Sequence, residues 1–204
     1  MIDRLLDHFG GENVTVICAY CDFQDQERQT ATNMLGALIK QVVNALEMVP
    51  TEIEEAFRRA KREVGGRGLQ VSDTVKLLRE ALAPVEQTFI CVDALDEFPD
   101  KHLSQLLTSL HTVSQASLGV RLFITGRPHI RSAVEKYLPR CVQLIPFSPN
   151  IEDIREYLEM KLKHDLDSEE MSPALKADIM KRISERIPDV YVMANSISKA
   201  RSNR

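Results

Sequence analysis

The chain has 204 residues, 44% of them hydrophobic and 27% charged, with a formal net charge of −4. These values fit one globular domain, or one and a half small ones, large enough to bury a core without metal or disulfide staples. They exclude collagenous and strongly basic, nucleic-acid-binding classes; four cysteines are too few for a disulfide scaffold, and no apolar run reaches the roughly 18 to 20 residues that span a bilayer.

The start, Met1-Ile2-Asp3-Arg4, lacks the basic-then-apolar pattern of a signal peptide. A reducing, cytoplasmic setting is expected, with neither membrane nor nucleic acid as partner. In chain order, Gly10-Gly11-Glu12 reads as a helix stop and Val14–Tyr20 as the first strand. Met34, Leu35, Leu38, Ile39, Val42, Val43 and Leu46 then fall on one helical face. Arg58, Arg59, Lys61, Arg62 and Arg67 form a basic cluster, but Glu54–Arg58 and Glu55–Arg59 have helical i,i+4 spacing, so a solvated helix face is expected. Gly65-Gly66-Arg67-Gly68 breaks the pattern and should link two helices.

A second strand is predicted over Thr88–Asp93, apolar on both faces until it ends in acid, as a central strand covered by helices should be. Leu103, Leu106, Leu107, Leu110 and Val113 mark the next helix, and Val120–Thr125 and Cys141–Ile145 read as further strands. Strands separated by helices predict an α/β fold with a mainly parallel sheet. After about Pro149 only helices are expected. Asn150 should cap one that carries Ile151, Ile154, Leu158 and Leu162. Ser172-Pro173 should open another, with Leu175, Ile179, Ile183 and Ile187. The expected division is an α/β core over residues 1–148 and a small helical subdomain over 149–204.

The segment Phe89-Ile90-Cys91-Val92-Asp93-Ala94-Leu95-Asp96-Glu97 carries the sharpest chemistry. Its strand delivers Asp93 at the carboxyl end, where open α/β sheets bind ligands, and two more acids follow within four residues. Asp93 there can hold Mg²⁺ beside a nucleotide's phosphates, and Asp96 or Glu97 can orient or deprotonate a water. The same spacing also suits an acidic helix start favoured by the helix dipole. The next strand ends in Thr125-Gly126-Arg127-Pro128-His129 at the same sheet edge, so Arg127 could meet a terminal phosphate. A plain turn into a proline-started helix is the other reading. Cys18-Ala19-Tyr20-Cys21 lies at a strand end without a second cysteine pair and is read as structural. His8, His102, His111, His129 and His164 show no metal spacing.

Taken in order, Tyr20-Cys21-Asp22-Phe23-Gln24-Asp25-Gln26, Val92-Asp93-Ala94-Leu95-Asp96-Glu97, Thr125-Gly126-Arg127-Pro128 and Ile151-Glu152-Asp153-Ile154-Arg155-Glu156-Tyr157-Leu158 resemble the NACHT-type NTPase module of the STAND signal-transduction ATPases. The resemblance is closer to the nephrocystin-like N-terminal NTPase segment of filamentous-fungal receptor-like proteins, often joined to ankyrin or WD repeats. It implies Asp93 as the Walker B metal ligand, Asp96 and Glu97 as the acidic pair that positions hydrolytic water, and Arg127 as a sensor 1 residue contacting nucleotide. Mg²⁺ with ATP or GTP is the implied cofactor, and homo- or hetero-oligomers with NACHT proteins are the implied partners. Asp189 stands where the family has glycine before the aromatic of its last lid helix, here Val190–Ala194.

No glycine among the eight is followed by lysine, so the pattern G-x-x-x-x-G-K-[ST] is absent. Met1–Phe9 is similar to the end of the helix that follows a P-loop, so the resemblance leads one to expect a P-loop NTPase-like domain truncated at its N-terminus, its sheet missing the first strand. Nucleotide binding by this chain alone is then expected to be weak or absent, and a non-catalytic interaction module that keeps the fold is the alternative function. The family's strand order, 5-1-4-3-2, would leave a gap or an abnormal closure between Val120–Thr125 and Cys141–Ile145.

Overall fold

The computed structural model describes residues 7, 13–46, 48–62, 69–116, 118–139, 142–147, 150–164, 172–184 and 190–195. The Gly10-Gly11 stop, the glycine break at 65–68, the boundary at Ser148-Pro149, Ile187 and Asp189 lie outside them. So does Met1–Phe9, apart from Asp7.

Strand β1 (Val14–Tyr20) leads through a short turn to helices α1 (Ala31–Ala45), α2 (Thr51–Arg62) and α3 (Val71–Leu82). Strand β2 (Gln87–Asp93), helix α4 (Asp100–Ala116), strand β3 (Val120–Gly126), helix α5 (Arg131–Tyr137) and strand β4 (Val142–Phe147) follow. Helices α6 (Ile151–His164) and α7 (Pro173–Ser184) come next, and strand β5 (Val190–Asn195) ends the described chain. The protein is α/β, with β1, β2 and β3 parallel and adjacent. No described helix is long and apolar enough to cross a membrane.

The stripes of α1 and α4 are buried as their spacing predicts, whereas Leu175 of α7, expected on a buried face, is 47% exposed. Met34, Leu35, Leu38, Ile39 and Val42 of α1 join Leu77 and Leu78 of α3 and Leu103, Leu106, Leu107, Leu110 and Val113 of α4 in one cluster. Alternate strand residues complete it: Ile17 and Ala19, Ile90 and Val92, Leu122 and Ile124. Capping follows the sequence signals too. The Asn150 side chain accepts from Glu152 N–H at 3.1 Å, and the Ser172 hydroxyl from Leu175 N–H at 3.2 Å.

β1 is a terminal strand, whose outer backbone groups would otherwise invite another strand. Gln41 of α1 answers this at Cys18. Its amide accepts from Cys18 N–H at 2.9 Å and donates to Cys18 C=O at 2.7 Å, so one side chain supplies both bonds of a neighbouring peptide.

The far side of the sheet departs from expectation. The order is β1-β2-β3-β5-β4, and β5 runs antiparallel to both β3 and β4. Val190–Ala194 is therefore strand and not lid helix, and the region after Pro149 is not purely helical. No gap separates β3 from β4. The edges of β3 and β4 each carry a row of backbone donors and acceptors that is costly to bury unpaired. The six-residue, mostly apolar strand β5 inserted between them closes both ladders, pairing Thr125 and Ile145 with Val192 on its two sides.

Candidate functional site

Parallel strands β1, β2 and β3 end at one edge, and the register sets Tyr20 beside Asp93. After Asp93 the chain turns abruptly. Ala94 takes left-handed backbone angles (φ 52°), an uncommon and strained choice for a residue with a Cβ, and a single 3-10 turn over Leu95–Glu97 follows. Leu95 and Phe98 are buried and anchor that turn. The turn sends its acids in different directions, each toward a neighbouring strand's exit.

Asp93 accepts a hydrogen bond at Oδ1 from the Thr125 hydroxyl. The same hydroxyl accepts from Ala94 N–H at 2.9 Å, so Thr125 ties the end of β3 to both sides of the β2 turn. Asp96 turns to the β3 exit as well. Its Oδ1 accepts from the backbone N–H of Arg127 at 3.2 Å and its Oδ2 lies 3.3 Å from Arg127 Nε. The Asp96 side chain is only 7% exposed, whereas that of Arg127 is 57% exposed. Glu97 turns the opposite way, to the β1 exit, and accepts from Phe23 N–H through Oε2 at 3.1 Å.

Each exit loop is braced in turn. Cys21 N–H donates to Asp93 C=O at 3.0 Å, continuing the β1–β2 ladder past the strand ends. Buried Gln29 bridges the Asp22 backbone, accepting from its N–H at 3.1 Å and donating to its C=O. A Cβ on Gly126 would lie 2.4 Å from Ile130 Cδ1 and 3.3 Å from Asp96 Oδ1. The absence of a side chain there lets the Asp96 carboxylate close on Arg127.

The four site residues read from the sequence, Asp93, Asp96, Glu97 and Arg127, thus meet at one sheet edge. The structure joins Asp96 to Arg127 directly and keeps Glu97 apart from both, on the Phe23 side. Sequence reasoning assigned no role to Thr125, Gln29 or Phe23 N–H. A hydroxyl one strand over, at the same edge as a strand-end acid, was the signal available for Thr125. His129 enters none of these bonds.

The thiol of Cys21 is pushed up to about 12, first by burial and then by the charges of Asp93, Asp96 and Glu97. It stays protonated at neutral pH and is a poor nucleophile, as a structural CxxC requires. Among the described residues no group of three or more His, Cys, Asp or Glu could hold a metal ion by itself. Mg²⁺ does not demand one, since it is commonly held by one or two carboxylates together with substrate phosphates and water. The donor chemistry fits that mode: Asp93 is half-buried, and its Oδ2 has no hydrogen bond among the described residues.

Residues 1–127 match the family described as Nephrocystin 3, N-terminal. No curated protein and no solved structure matches the chain.

Proposed function

Because the chain belongs to the nephrocystin 3 N-terminal family, we propose that its sheet edge is the metal- and sensor-side half of a Mg²⁺–nucleoside triphosphate site, in an NTPase-type switch module of the NACHT class. The observation that carries this reading is the convergence of Asp93, Glu97 and the Asp96–Arg127 pair at the carboxyl ends of adjacent parallel strands. Asp93 would hold the metal, with its carboxylate oriented by Thr125. Glu97 keeps Oε1 free of described partners, so it is the acid of the Asp96–Glu97 pair able to orient a water. Arg127 would face the phosphate charge that hydrolysis removes. Bound Mg²⁺ would supply charge neutralisation across the phosphate oxygens.

The sequence contains no G-x-x-x-x-G-K-[ST], and among the described residues Arg127 is the phosphate contact assigned at this edge, so affinity should be weak, about millimolar. Titrating Mg-ATP and Mg-GTP into the 15N-labelled chain is the test. Amides of Ala94, Gly126 and Arg127 should shift with Mg²⁺ present, and Asp93→Ala should weaken the Mg²⁺-dependent binding about tenfold. Shifts that ignore Asp93→Ala, or none at all, would favour the second reading, a non-catalytic interaction module. One observation supports that alternative: all three acids already bond protein groups, as they would if the motif served only to knot three strand exits together.

A further inference from the structure

We propose that Asp96 is a positioning residue for Arg127 and not an acid that acts on water. A water-orienting acid must present a free oxygen within hydrogen-bond reach of the water. Asp96 does not: its side chain is 7% exposed, Oδ1 accepts a hydrogen bond from the Arg127 backbone N–H, and Oδ2 is held in an ion pair with Nε of the same residue. Gripping the main chain and the side chain of one residue together fixes both where the chain leaves β3 and where the guanidinium points.

The choice of Nε matters. A guanidinium has five N–H donors in a rigid plane, and engaging Nε leaves the Nη1–Nη2 end, the fork that matches a phosphate or carboxylate. Those nitrogens have no partner among the described residues, and the side chain is more than half exposed. The nearest arginine in sequence, Arg131, is taken by Glu135 at 2.8 Å. Arg127 is therefore held with its binding end outward at the edge that carries Asp93. A long side chain otherwise loses rotamer freedom when it is fixed, and Asp96 removes part of that cost before any ligand arrives. The ligand this fork would take is the terminal phosphate of a Mg²⁺–nucleoside triphosphate, and that identity rests on the function proposed above; the role of Asp96 does not.

Two measurements on the full chain separate the two ideas. The first needs no ligand: the Nε–H signal of Arg127 in a 1H–15N spectrum, assigned by its loss in Arg127→Lys. It should be shifted and slow to exchange with water in the parent, and should collapse to the position of exposed arginines in Asp96→Ala. Asp96→Asn keeps an acceptor without the charge and should retain part of the shift; it also serves if the alanine variant does not fold. An Arg127 Nε–H equally mobile in the parent and in the Asp96 variants would overturn the proposal. The second measurement is Mg-ATP affinity. Asp96→Ala and Arg127→Lys should each lose about tenfold, and the double variant no more than either. A loss with Arg127→Lys but none with Asp96→Ala would also overturn the proposal. If the parent binds no Mg-ATP, the nucleotide reading fails, and the Nε–H signal still decides the role of Asp96.

Discussion

Gly119→Ala will destabilise the chain by about 2 to 3 kcal/mol, while Gly36→Ala will leave it unchanged or more stable by up to about 1 kcal/mol. The difference comes from what the added carbon meets. At Gly119 it would lie 2.0 Å from the backbone oxygen of Glu86, 3.0 Å from that residue's carbonyl carbon and 3.4 Å from Gln87 Cα. These are main-chain atoms, so no side-chain rotation relieves the clash. They are also pinned from two sides. Gly119 C=O accepts from Thr88 N–H at 3.0 Å, and Gln87 N–H donates to Asn13 C=O at 3.3 Å. Making room means prising apart the first rungs of the β2–β3 pairing, where Thr88 is buried. Gly36 lies within α1 with nothing within 4 Å of the added carbon, so alanine there gains helix propensity without a steric cost. Urea unfolding of both variants checks the pair of expectations. A Gly119→Ala midpoint equal to that of the parent would mean that the starts of β2 and β3 separate easily.

How much of this was legible in the sequence depends on how local each signal is. β1, β2 and β3 could be read because each is a short β-branched or apolar run, and α1 and α4 because each carries a 3.6-residue stripe such as Leu103–Leu106–Leu107–Leu110. The acids at the β2 exit could be placed at the sheet edge for the same reason. Their separate duties could not. Ala94 gives no hint of left-handed geometry, since glycine or asparagine is the residue that announces it, yet this turn is what swings Asp96 toward Arg127 and Glu97 toward Phe23. The spacing Asp93, Asp96, Glu97 suggests a working pair of acids. The folded turn instead splits them between two neighbouring loops.

β5 failed for a different reason. Val190-Tyr191-Val192-Met193-Ala194 is too short and too uniformly apolar for periodicity to separate strand from helix. What decides is the vacancy between β3 and β4, a property of the sheet and not of the segment. That dependence runs both ways and sets the other large expected effect. Val192→Pro should cost about 3 kcal/mol locally and raise amide exchange across β4 roughly a hundredfold, with β1 and β2 unaffected. β5 pairs on both sides, so its N–H groups are all needed by one ladder or the other, and proline removes one while its ring crowds the neighbouring strand. β3 keeps its pairing with β2 when β5 is lost. β4 has no such second support: among the described strands its only partner is β5, Gln143 and Ile145 are exposed, and Leu144 packs against the core. Exchange measured residue by residue over Val142–Phe147 is the observable. Should those amides stay protected in the proline variant, β4 is held by its packing and β5 is a passenger; should they open while Ile90 and Val92 remain protected, β5 is the element that joins β4 to the sheet.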